Sequence, residues 1–120
     1  MGNDHNMPDI SALQSATSEI PVDDVIRTLG DRHARNAIIY LHDHPRATFD
    51  ELADVLAASE ASDDDTISTP ADRERIRIQL YHAILPRLAE VGFVRFDSET
   101  NTVTDTTIPK PVVDALGIGD

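Results

Sequence analysis

A chain of 120 residues with 22 acidic and 10 basic side chains, formal net charge −12, has room for one hydrophobic core and not for two. It contains no Cys, which excludes a disulfide frame and a thiolate metal site, and no apolar run approaches the ~20 residues that cross a bilayer. No signal-peptide pattern opens it, so a soluble cytoplasmic protein without membrane contact is expected.

Residues 1–19 are polar and aperiodic and read as a disordered N-terminal segment ahead of a domain over 20–107. Pro21 stands where a first helical residue can stand, opening a short helix through Val22, Val25, Ile26 and Leu29 that Gly30 stops. Asp31 is placed to cap the next helix, whose apolar positions Ala34, Ile38, Ile39 and Leu41 lead to His44-Pro45, where it must end. Thr48-Phe49-Asp50-Glu51 has the spacing of a capping box, followed by Leu52, Val55 and Leu56. That helix is expected to fade near Ser59, leaving residues 60–68 as an acidic loop.

Thr69-Pro70 marks a second start. Ile76, Leu80, Ala83, Ile84, Leu88 and Val91 then hold a 3.6-residue period for about six turns. Pro86 interrupts it: Pro has no amide for the carbonyl of His82 and clashes with it, so a kink is expected there. Gly92 closes the helix. Phe93–Phe96 and Thr102–Thr104 flank a polar five-residue turn and predict a hairpin. Residues 108–120 form a C-terminal extension, of which 108–118 are too apolar and too Pro-marked for a free tail; that segment should cover a hydrophobic surface, on its own domain or across a dimer. The fold class is mainly α with a small β-hairpin, and a trihelical core followed by a hairpin is the order of a winged helix-turn-helix.

Charge is distributed unevenly along this order. Residues 73–96 carry five Arg against two Glu, net +3, and every other stretch is net negative. The acids are spread along the chain, and nine of the ten bases are Arg. This composition resembles that of proteins adapted to molar salt, where the Debye length falls to about 3 Å and self-repulsion is screened; an ordinary acidic domain is the alternative, and the spread of the acids favours the first.

From about Val22 to Thr106 the chain resembles a haloarchaeal family of domains of unknown function with a winged-helix fold akin to the ArsR-type regulators. The likeness is carried by the DELA of Asp50–Ala53, the YHAILPRL of Tyr81–Leu88 and the VGFVRFD of Val91–Asp97. It departs at Ile84 and Arg87, where that family usually has His and Lys. The resemblance implies a DNA-binding transcription regulator, with the helix at about 70–91 in the major groove and 93–106 as the wing.

The candidate contact residues follow from that placement. Arg75, Gln79 and His82 fall within about 60° of one another at 100° per residue, opposite Ile76, Leu80 and Ile84. Arg suits guanine, Gln suits adenine and His suits phosphate. Arg73 and Arg77 lie nearer the apolar side, where they either extend to phosphate or lie over the core with their heads in water. Arg95 is the one base of the wing, whose tip carries Glu99. The expected partners are double-stranded DNA and a second copy of the chain, with no cofactor and no small-molecule ligand. A protein-interaction module on the same fold is the alternative.

Other polar groups read as structural. His42-Asp43-His44 diverge on a helix, and Asp63-Asp64-Asp65 lacks the Gly and terminal Glu of a calcium loop. Tyr81 and His82 are helix neighbours that cannot aim at one atom. No nucleophile, base and orienter combine, so no enzyme is expected.

Overall fold

A computed structural model describes residues 22–118; the expectations for residues 1–19 and for Pro21 lie outside them. The first helix, α1 (Val22–Leu29), buries Val25, Thr28 and Leu29 and closes at Gly30. Asp31 caps α2 (Arg32–Asp43), its carboxylate accepting from the amides of His33 and Ala34, and the helix stops at His44 before Pro45. Ala34, Ile38 and Leu41 are in the core as expected, but Ile39 is exposed and Ala37 takes its place. His44 stacks on Tyr40 with ring centroids 4.2 Å apart.

Helix α3 (Phe49–Asp63) begins with the complete capping box: Thr48 Oγ1 accepts from the amide of Glu51, and Glu51 returns to the amide of Thr48. It runs four residues past the expected end. Ala57, Ala58 and Ala61 favour helix and nothing breaks it before Asp65, which takes a left-handed φ of 56°. The amides of Thr66 and Asp65 then return to the carbonyls of Ala61 and Ser62, closing the helix in a Schellman turn. Glu60 is therefore a helical residue and not part of a solvated loop.

Helix α4 (Pro70–Gln79) opens on a second capping box, Thr69 with Asp72, which the Thr-Pro signal did not include. Pro86 acts upstream of itself. Residues Leu80–Ile84 form a π-helical turn, with the amide of Leu85 bonded to the carbonyl of Leu80, before α5 (Leu85–Glu90) resumes. The wide turn accommodates one extra residue where Pro86 cannot bond His82. It also shifts the register, so Leu85 is buried and Ala83 is exposed. Gly92, at φ 83°, ends α5 with the amide of Phe93 on Leu88, a conformation open to Gly at no steric cost.

The strands form a three-stranded antiparallel sheet in the order β1-β3-β2. β2 (Arg95–Asp97) and β3 (Thr102–Thr104) are the expected hairpin, shorter by Phe93 and Val94, which are buried beneath it. β1 (Ala47–Thr48) was not anticipated. It pairs Ala47 with Val103 and Thr48 with Thr102, so the start of α3 is fastened to the hairpin. The amide of Phe49 adds a 2.8 Å bond to the carbonyl of Asn101.

Helix α6 (Lys110–Leu116) follows Pro109 and carries Pro111 in its first turn. Val112 is fully buried, and Ile108 and Leu116 pack on the same core as the other helices. Of the two surfaces expected for residues 108–118, its own domain is the one covered. Fully buried Leu80, Leu85, Leu88 and Phe93 meet Leu29, Ile38, Leu52 and Leu56 at the centre. Each contributes roughly 1.5–3 kcal/mol by leaving water, and with buried Ile76 of α4 they hold α4 and its continuation in the π turn and α5 against α3.

Candidate nucleic-acid interface

Core packing of Ile76 and Leu80 decides what α4 can present. Its outer side carries Glu74, Ile78 and Gln79, continued by Tyr81 and His82 of the π turn, all exposed. Ile78 and Tyr81 keep 53% and 50% of their surface in water, unusual for large apolar groups.

Arg75 and Arg77, about 200° apart around the helix, leave α4 in opposite directions. They reach opposite ends of α3. Arg75 donates from Nη2 to Glu60 Oε1 at 2.7 Å, with Asp72 Oδ1 at 3.6 Å. The other carboxylate oxygen of Glu60 accepts from Arg32 Nη2 at 3.3 Å and lies 3.5 Å from His33 Nε2. Arg32 also reaches Asp64 at 3.2 Å. One carboxylate, 13% exposed, thus joins α2, α3 and α4. The hydrogen bond from Arg75 and the neighbouring cations hold the Glu60 carboxyl below its ordinary range, outweighing its partial burial. The Thr69 capping bonds likewise lower Asp72.

At the other end Arg77 pairs with Asp50, and its guanidinium lies over the ring of Phe49, 5.0 Å from the centroid. Asp50, Glu74 and Asp54 surround it with negative charge and raise its affinity for its proton. Phe49, Tyr81 and Phe96 meet edge to face or tilted with centroids 6.1–6.2 Å apart, and Tyr81 packs against His82 at 5.0 Å. A depression of about 290 Å³ lies here, lined by Phe49, Glu74, Arg77, Ile78, Tyr81, His82 and Asn101. Three elements supply it: the start of α3, the outer side of α4 with the π turn, and the hairpin loop.

The sequence-derived candidates are therefore not one row. Arg77 and His82 share this depression, while Arg75 faces the Glu60 end of α3, ten residues or roughly 15 Å of helix away. Gln79 is exposed between them, and Arg73 is exposed at the helix start, making no ion pair among the described residues. Arg95 lies on the far side of the sheet edge, 3.7 Å from Asp105. It borders a wider groove of about 800 Å³ with Tyr81, Leu85, Pro86, Ala89, Val94 and Phe96. Phe49, Asp50, Glu74, Ile78 and Asn101 were not foreseen. Asp50 was legible as a first-turn residue of the capping box, but nothing local joins it to Arg77.

Among the described residues no set of three or more His, Asp or Glu side chains is arranged to hold a metal ion. No helix there is long and apolar enough to cross a membrane. Comparison with curated proteins and with solved structures gives no match. Residues 26–104 match a family described only as a domain of unknown function, DUF7344. That span runs from α1 through β3 and includes the depression and both arginine pairs, so the chain belongs to the DUF7344 family.

Proposed function

We propose that this domain is a winged helix-turn-helix that binds double-stranded DNA and regulates transcription in the salt-rich cytoplasm of a halophilic archaeon. The observation that carries the reading is the sheet: β1, directly ahead of α3, pairs with β3 and braces the α3–α4 pair against the hairpin. This arrangement leaves the outer side of α4 open between the start of α3 and the hairpin loop. A major groove about 12 Å wide admits a helix so mounted, with flanking elements over the phosphates. Arg77 and His82 are the contacts this geometry favours, with Arg73 and Gln79 at its edges. A two-fold dimer would set two such helices about 34 Å apart on successive turns of DNA.

The test is fluorescence anisotropy on a labelled duplex from the region upstream of the protein's own gene, across a KCl series. Saturable binding that prefers this duplex over a scrambled one is expected. No binding at any salt overturns the reading.

The interaction-module alternative is favoured by one observation, the exposed Ile78 and Tyr81 beside the groove under Pro86 and Phe96. An apolar surface of this kind suits a protein partner. Ile78→Ser with Tyr81→Ser would then abolish capture of the partner, and neither the parent nor the variant would bind DNA.

A further inference from the structure

The arginine on the binding face is already occupied. Arg77 is paired with Asp50, whose side chain is 75% exposed, and Asp54 and Glu74 stand close by. Phe49 holds the guanidinium from beneath, so the group stays in place whether Asp50 or another anion completes it. A DNA phosphate arriving at Arg77 must therefore displace a carboxylate and not water.

We infer that Asp50 is a built-in competitor for DNA phosphate at Arg77, so that binding exchanges one ion pair for another and its affinity falls less steeply with salt than the number of phosphate contacts implies. This rests on the DNA-binding reading and concerns how that face is regulated. The argument is one of counterions. A phosphate neutralised by a free Arg releases condensed cations and adds about −0.9 to the slope of log K against log[salt]. Here the Asp50 carboxylate set free on binding regains the cation atmosphere that the phosphate gives up. The two terms offset one another in part, because a lone carboxylate gathers fewer cations than a phosphate within the polyanion. Three ordinary phosphate contacts would give a slope of about −2.7 and lose roughly 500-fold in affinity over a tenfold rise in salt. An exchange mechanism removes at most about 0.9 of that slope for each paired Arg.

The experiment is anisotropy of the full chain on the same upstream duplex, in KCl from ~0.1 to ~1 M, with Asp50→Asn beside the parent. Asp50→Asn is expected to bind more tightly than the parent at the low end. Its slope should be steeper by up to about 0.9, an extra loss of up to about eightfold across the series. Asp50→Glu should restore the shallow slope. Asp50→Ser, which keeps a short polar residue in the first turn, should repeat the steepening if the Asn variant folds poorly. Asp24→Asn removes the same charge from an exposed pair with Arg27 on α1 and should run parallel to the parent.

If the parent binds and Asp50→Asn has the parent's slope, the competitor role is overturned and the DNA-binding reading stands. If Asp24→Asn steepens the slope equally, the effect is one of overall charge and the inference is overturned. If no variant binds at any salt, both fall.

Discussion

The two ends of α3 hold the same kind of ion pair in different surroundings. At its C-terminal end Glu60 is 13% exposed and serves Arg32, His33 and Arg75 from two other helices; at its N-terminal end Asp50 is 75% exposed and serves Arg77. Burial separates their roles. Removing one partner of a desolvated pair leaves charges without compensation, whereas an exposed pair exchanges with water and ions at little cost. The Glu60 end is thus a structural joint and the Asp50 end an exchangeable contact, although both involve an Arg from the same helix.

The largest expected effect falls on the joint. Glu60→Ala strips Arg32, His33 and Arg75 of their shared acceptor and should cost about 2 kcal/mol, well below a fully buried pair because Arg75 is half exposed. For a domain of this size that lowers the thermal midpoint by about 10 °C, measurable by circular dichroism. A midpoint within 2 °C of the parent's, or about 0.4 kcal/mol, would erase the contrast between the two ends.

Exchanging the arginines sharpens the comparison in binding. Arg77→Ala should weaken DNA binding about tenfold, or ~1.4 kcal/mol, within the range for a positioned Arg contact. Arg75→Ala should lower stability and leave the affinity of the folded protein nearly unchanged. The opposite ranking in anisotropy would move the contact surface to the Glu60 end.

Acid should distinguish the joint by pH. The Glu60 carboxyl titrates below its ordinary value near 4.5 because Arg75 bonds its ionised form. The stability this confers is present above that value and is lost as pH falls through the lower folded value. Glu60→Gln should therefore flatten the decline in melting temperature below pH 4.5, about the ordinary carboxylate value. An unchanged acid limb would show that the joint does not contribute.

The smallest effect is on the exposed pair. Asp50→Asn should change stability by about 0.5 kcal/mol or less, much of it from a first-turn acid near the helix N-terminus. A loss near that of Glu60→Ala would make Asp50 structural and remove the distinction.

Sequence by itself determined where α2, α3 and α4 begin and where α1, α2 and α5 end, because those signals lie within four residues of one another. The Thr48–Glu51 box, the Asp31 cap, Thr69-Pro70 and Gly92 are of this kind. It also determined that residues 73–96 are the net positive stretch. The end of α3 is written there too, in Ala57, Ala58 and Ala61, which favour helix up to the run of Asp that follows. What only tertiary structure decided is which charges are free. Arg75 meets Glu60 across 15 positions, Arg77 meets Asp50 across 27, and β1 finds β3 more than fifty positions away. Such pairs depend on how α4 crosses α3 and on the sheet, both set by packing of Ile76, Leu80 and Leu52 and not by any local preference. A helical wheel places Arg75 and His82 on one face because it knows the angle around one helix; it does not contain the neighbouring helix that turns Arg75 away.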